Sequence, residues 1–72
     1  MFIVEFNRDT ELIISHPPYG IYFECGEKIE VSSYKKDMDM IVAQTKDYGE
    51  LAIFNEDIEI YEKTKVKSWH RI

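Results

Sequence analysis

The chain has 72 residues, about half the length of a typical domain, so we expect one small domain and not a two-domain enzyme. Its 14 acidic and 9 basic residues give a net charge of −5, which disfavours general attraction to nucleic acid or to an anionic membrane. Its single cysteine, Cys25, excludes a disulfide within the chain.

The composition predicts a mostly β fold. β-branched and aromatic residues occupy 27 of the 72 positions, whereas the chain has only 2 Ala and 2 Leu, which are strong helix formers. No apolar run approaches the ~20 residues of a membrane helix, and the first residues lack the pattern of a secretory leader. We therefore expect a cytoplasmic protein without a membrane partner.

Residues 1–15 are predicted to form an N-terminal β-hairpin. Alternating apolar residues from Phe2 to Phe6 are followed by a polar turn and then by the apolar run of residues 12–14. Residues 16–20 contain two prolines, which remove backbone donors and interrupt strand pairing. This second segment is therefore predicted to be a linker.

Residues 21–62 are predicted to form a barrel-like core, because apolar residues alternate with charged ones along short segments. Ile29 and Val31 are expected to face inward, as are Ile58 and Ile60. The predicted strands cover residues 21–23, 28–31, 38–45, 51–54 and 58–61. The predicted turns and loops cover residues 25–27, 32–37, 46–50 and 55–57, the last as one turn of 3₁₀ helix.

Residues 63–72 form a basic tail on an acidic body, since they carry four of the 9 basic residues. Three interpretations stay open at this point: the tail folds onto its own body, binds a partner, or remains solvated.

The order of these signals resembles the Src-homology-3-like (SH3-like) family of small β-barrels. Residues 23–31 read Phe-x-x-Gly-Glu-x-Ile-x-Val and look like the segment that closes the family's first long loop and opens its second strand. Residues 39–43 look like its Asp-Trp-Trp-x-Ala strand, and the following hairpin, short turn and closing strand complete the order up to Tyr61. The resemblance, which covers about half of the chain, implies a small, partly open barrel. The N-terminal hairpin and the basic tail would then be additions to it.

The residues that bind polyproline in this family are not retained. Met40 stands in place of the first Trp, while Phe54 and Asp57 stand in place of the groove Pro and Tyr. Recognition of PxxP ligands is therefore not expected, and the fold alone implies no activity.

We expect no catalytic site, no metal site and no cofactor. Cys25 with His16 or His70 is the only Cys–His combination, and these residues lack the spacing of a zinc site. The 3 glycines lie in separate turns, which excludes a glycine-rich phosphate loop. The chain is thus predicted to act by binding and not by catalysis.

The acidic residues suggest the main functional hypothesis, a protein-binding module. If they share a face, they can imitate a phosphate backbone and occupy the basic groove of a nucleic-acid-handling host enzyme, as a phage- or mobile-element-type inhibitor would. The alternative is ordinary solubility and protection of strand edges. The predicted partner-binding acidic face comprises Glu24, Glu27, Glu30, Asp39, Glu56, Asp57 and Glu59.

Two further functions stay open, and we rank both below protein binding. In the first, the tail is an extended strand that binds nucleic acid, with its lysines in a row and Trp69 stacking on a base; the alternative is an edge strand whose lysines block aggregation. The candidate nucleic-acid-binding residues are Lys63, Lys65, Lys67, Trp69 and Arg71. In the second, the chain is a self-assembling structural subunit, because small domains gain stability from oligomerisation.

Tyrosine and methionine residues support an interaction surface, either for a protein partner or for a second copy of the chain, because these types are enriched at the centres of interfaces. The candidates, which also include a tryptophan, are Tyr19, Tyr22, Tyr34, Tyr48, Tyr61, Met38, Met40 and Trp69. The alternative is that these side chains complete a small core.

Overall fold

The structure, a computed structural model, describes residues 1–14, 17–63 and 69–72. About two-thirds of the described residues lie in strands, which confirms the predicted mostly β fold. The strands are β1 (Phe2–Phe6), β2 (Thr10–Ile13), β3 (Gly20–Phe23), β4 (Lys28–Asp37), β5 (Met40–Thr45), β6 (Gly49–Phe54), β7 (Ile58–Lys63) and β8 (Trp69–Arg71). One turn of 3₁₀ helix (Asn55–Asp57) precedes β7, at the position that the sequence predicts.

The strands form two antiparallel sheets. The larger has six strands in the order β6-β5-β4-β1-β7-β8, and the smaller pairs β2 with β3. Over the described residues the sheets do not close into a barrel. No helix in residues 1–14, 17–63 or 69–72 has the length and apolar character needed to cross a membrane.

The predicted N-terminal hairpin is wrong, because β1 pairs with distant strands. Phe2 lies opposite Val31 of β4 on one side and opposite Glu62 of β7 on the other. Strand β1 thereby satisfies the backbone groups of both its edges and becomes an interior strand of the sheet. Strand β2 instead pairs with β3, with Leu12 opposite Ile21.

The predicted linker over residues 16–20 lies outside the strands at residues 17–19, but Gly20 begins β3 and the connection joins two paired strands. Pro17 and Pro18 form a turn within the connection between β2 and β3. The N–H of Ile14 donates to the carbonyl oxygen of Tyr19 at 3.0 Å, which ties the two ends of this connection together. The prolines therefore occupy the end of a hairpin, where the missing donors cost little.

Residues 32–37 form the second half of β4 and not the predicted polar loop. The register shifts between Val31 and Ser33, so the strand has an irregularity at this point. The first part of β4 pairs with β1 up to Val31, while pairing with β5 begins at Val31 and continues beyond the shift to Asp37. Backbone pairing on an exposed part of the sheet tolerates polar side chains, so the polar sequence did not reveal this strand.

The core lies between the sheets and has the residues that the alternation predicts. Ile29, Val31, Ile58 and Ile60 are all buried. The rings of Phe6 and Phe23 stack at a centroid distance of 4.4 Å, which joins the two sheets. The other buried apolar residues are Val4, Leu12, Ile41, Ala43, Leu51 and Ile53.

Candidate functional site

The structure distributes the predicted acidic residues over three places and does not bring them to one face. Glu24 and Glu27 flank the turn between β3 and β4, while Glu30 and Glu59 lie on the side of the large sheet away from the core. The remaining residues, Asp39, Glu56 and Asp57, lie around the 3₁₀ turn and the turn that joins β4 to β5.

A hydrogen bond brings two of these acidic residues close together. The N–H of Asn55 donates to the carbonyl oxygen of Asp39 at 2.7 Å, so the β4–β5 turn lies against the 3₁₀ turn. Glu56 follows Asn55 and is exposed, as is Asp39. Two carboxylates from different parts of the chain thus flank one groove.

Exposed apolar side chains line the same groove. Met38 is 89% exposed and Phe54 is 53% exposed, and Phe54 lies opposite Met40 across β5 and β6. We call this groove, with a volume of about 360 Å³, the turn-end surface. It is lined by Lys36, Met38, Asp39, Phe54, Asn55 and Glu56.

Asp57 is held by contacts within the chain. Its Oδ1 lies 3.2 Å from Nε of Arg8, and its side chain is only 14% exposed. Its carbonyl oxygen accepts a hydrogen bond of 2.8 Å from the N–H of Asn7. Asp57 therefore fixes the 3₁₀ turn to the end of β1, and its carboxylate is already paired.

Glu59 is also engaged by neighbours on the outer side of the sheet. Its Oε1 lies 3.0 Å from Nη2 of Arg71, and its Oε2 accepts a hydrogen bond of 2.9 Å from the Tyr61 hydroxyl. Glu5 lies opposite both Glu59 and Lys28 in the register. Lys28 beside Glu5 and Arg71 beside Glu59 offset the repulsion between the two glutamates.

The hydrogen bond to Glu59 is the main cause of a raised pKa at Tyr61, because deprotonation would place a phenolate beside a carboxylate. We expect Glu59→Gln to lower the pKa of Tyr61 towards its ordinary value, measured by NMR titration of the tyrosine ring carbons. The pKa of Tyr22 is raised mainly by a hydrogen bond to Asp9, so it serves as the control and should not move. An unchanged Tyr61 titration would contradict the assigned cause.

The raised pKa of Tyr61 also makes the folding stability depend on pH. The pKa of Tyr61 is higher in the folded chain than in the unfolded one, so its contribution is complete below the ordinary tyrosine pKa. That contribution is lost as the pH rises through the folded-state value. The Glu59→Gln variant should therefore lose less stability in this alkaline range than the parent chain.

The predicted nucleic-acid-binding residues do not lie along one strand. Lys63 ends β7 and is opposite Trp69 of β8, so these two residues belong to opposed strands. Arg71 is paired with Glu59, while Lys65 and Lys67 lie outside the described residues. The single-strand row is thus wrong, and nucleic-acid binding by the tail stays a prediction.

Cys25 is exposed, and both its thiol and its backbone N–H form hydrogen bonds within the chain. Its thiol donates to the carbonyl oxygen of Asn7 at 3.1 Å, and its N–H donates to Oδ1 of Asp9 at 2.8 Å. His16 lies outside the described residues, and His70 is in β8. In the described part of the chain, no three His, Cys, Asp or Glu residues are placed to hold a metal ion.

The aromatic residues divide between the core and the surface. Tyr34 and Tyr48 pack against the core, with the ring of Tyr48 5.4 Å from that of Phe23. Tyr19 and Tyr22 are exposed, by 60% and 56%. Tyr34 and Tyr48 therefore complete the core, whereas a role of Tyr19 and Tyr22 in an interface stays a prediction.

The sequence does not predict the contacts of Asn7, Arg8 and Asp9, which hold the 3₁₀ turn and Cys25 at the end of β1, nor the contact of Asn55 with Asp39. Asn7, Arg8 and Asp9 lie in the polar segment after β1, which looked like a simple hairpin turn. The detectable signal was its composition, since three polar residues directly follow the buried Phe6. Their partners across the fold were not detectable without the pairing of β1 with β7.

Comparison with known protein families, curated proteins and solved structures gives no match to this chain.

Proposed function

We propose that this chain is a non-catalytic module that binds a protein partner through the turn-end surface. The observation that carries the proposal is the juxtaposition of exposed Met38 and Phe54 with the carboxylates of Asp39 and Glu56. An apolar centre with a charged rim is the usual arrangement of a protein interface.

The apolar residues supply the driving force. Burial of Met38 and Phe54 by a partner removes from water apolar surface that the fold leaves exposed. Methionine is flexible and adapts to irregular surfaces, which suits a contact at a turn. The partner should therefore insert an apolar side chain between these two residues.

The carboxylates supply orientation. In the part of the chain that the structure describes, the salt bridges join Arg8 to Asp57 and Arg71 to Glu59, whereas Asp39 and Glu56 belong to neither, although Lys36 lines the same groove. Asp39 and Glu56 are thus available to a basic partner, and such charges act mainly on the association rate and on specificity. A protein with a phosphate-binding surface, such as a nucleic-acid-handling enzyme, is the class of partner that fits.

We assign the fold to the SH3-like barrels as part of the same proposal. The segment between β1 and β4 folds as the β2–β3 hairpin, at the place of the family's first long loop. The 3₁₀ turn precedes β7 as the short turn precedes the closing strand of the family. With Met40 and Phe54 in place of the groove Trp and Pro, the turn-end surface adjoins the family's groove but presents different side chains.

The test is capture of a partner by the immobilised chain from a lysate of the cells in which it occurs. We expect the parent chain to retain a protein with a basic surface, and raised salt to release it. The variant Asp39→Lys/Glu56→Lys should lose this retention by at least tenfold, because it opposes like charges across the contact.

The matched control is Glu30→Lys/Glu50→Lys, which makes the same change in net charge at exposed positions of β4 and β6. It should retain the partner within about twofold of the parent, because its local charges lie outside the turn-end surface. Equal loss in the two variants, or equal retention, contradicts the proposal. So does a parent chain that retains no protein.

A further inference from the structure

Among the described residues, strand β8 ends the large sheet and presents backbone groups to its outside. The N–H of Ile72 donates to the carbonyl oxygen of Ile60 at 2.7 Å, and His70 lies opposite Glu62 in the same register. In an antiparallel pair, residues alternate between those that point both backbone groups at the neighbouring strand and those that point both away. The backbone groups of Trp69 and Arg71 therefore point away from β7, along the edge of the sheet.

We propose that two copies of the chain associate through β8 to form a symmetric dimer with one continuous sheet. An antiparallel register centred on His70 places Trp69 opposite the partner's Arg71, and by symmetry Arg71 opposite the partner's Trp69. Each of these pairs exchanges two backbone hydrogen bonds, which makes about four across the interface. A two-fold interface requires such a self-complementary surface.

The side chains favour this register over its neighbours. Trp69 and Arg71 lie on the same side of the sheet, and Trp69 is 42% exposed. Opposite each other, an arginine and a tryptophan attract through a cation–π contact. A shift that places Arg71 opposite the partner's Arg71 would instead bring like charges together, which destabilises strand pairing.

Over the residues that the structure describes, the opposite edge of the sheet is less open. Strand β6 is contacted by β2 from the smaller sheet, whereas β8 continues the large sheet outward from β7. A three-residue strand makes a small interface, so we expect a weak dimer with a dissociation constant in the micromolar to millimolar range.

Disulfide trapping tests the register. In a Cys25→Ser background, which removes the exposed native thiol, His70→Cys should form a disulfide-linked dimer under mild oxidation. Residues opposite each other at a non-hydrogen-bonded position have Cα atoms about 4.5 Å apart, within disulfide range. The control Ile72→Cys lies on the same strand and side, but about 14 Å from its symmetry mate, because each residue rises about 3.4 Å. It should link at least tenfold more slowly.

Sedimentation of the parent chain over micromolar to millimolar concentrations tests the dimer without cross-linking. Arg71→Ala should weaken association about tenfold, because two cation–π contacts are lost together with the salt bridge that joins Arg71 to Glu59 in each copy. Arg71→Pro also removes the backbone N–H that points outward. The hydrogen bonds between β7 and β8 do not use that N–H, so the fold should be kept while the dimer is lost. A monomeric parent at every concentration overturns the proposal, as does equal linking of the two cysteine variants or equal association of all three chains.

Discussion

Phe23→Ala is expected to remove most of the folding stability of this domain. Phe23 is fully buried, its ring stacks on Phe6 with an interplanar angle of 6°, and the ring of Tyr48 meets it edge-on. Truncation of a buried phenylalanine to alanine costs about 3 to 5 kcal/mol. A core of this size supplies roughly the same amount, so a large fraction of the variant should be unfolded.

The effect should be large because Phe23 joins the two sheets. It belongs to β3 of the smaller sheet, whereas Phe6 and Tyr48 belong to β1 and to the β5–β6 turn of the larger one. Urea denaturation followed by circular dichroism measures the free energy of unfolding. The control is Tyr22→Ala in the same strand, where the side chain is exposed, and the cost there should stay below about 1 kcal/mol. Equal costs at the two positions would contradict this account of the core.

Local alternation was enough to predict which side chains are buried. Ile29 and Val31 face inward because a strand has a period of two, and this period is visible in a few residues of sequence. The turn at Gly26, with a φ of +88°, and the 3₁₀ turn were predictable for a similar reason, since turn chemistry is local.

Strand pairing was not predictable in this way. The sequence placed β1 beside the next apolar run, the shortest connection, but Phe6 pairs with Ile58 of β7. Nothing local distinguishes an interior strand from one arm of a hairpin, because the choice depends on which distant edges remain unpaired. The strand in residues 32–37 was missed because its polar side chains lack the alternation that marks a buried strand.

The choice between the acidic candidates also depends on contacts between distant parts of the chain. The sequence identified Asp39 and Glu56 as candidates, but also Asp57 and Glu59, and their chemical types do not separate the two pairs. The separation comes from distant cations, since Arg8 pairs with Asp57 and Arg71 with Glu59. Which carboxylates are available to a partner is therefore a property of the fold.

Ile41→Ala should be the second most damaging substitution, with a loss of about 3 kcal/mol. Ile41 is fully buried in β5, an interior strand of the large sheet, and the neighbouring Ile53 lies opposite it in β6. In a domain of this size such a loss lowers the melting temperature by about 15 °C, which calorimetry measures directly.

The matched control for Ile41→Ala is Ile13→Ala, which deletes the same atoms from a side chain that is 88% exposed. Its melting temperature should stay within about 3 °C of the parent, because almost no apolar surface returns to water. A large loss at Ile13 would mean that another surface covers this residue in solution. Since the turn-end surface and the β8 edge do not include Ile13, that result would require a further contact on the β2–β3 hairpin.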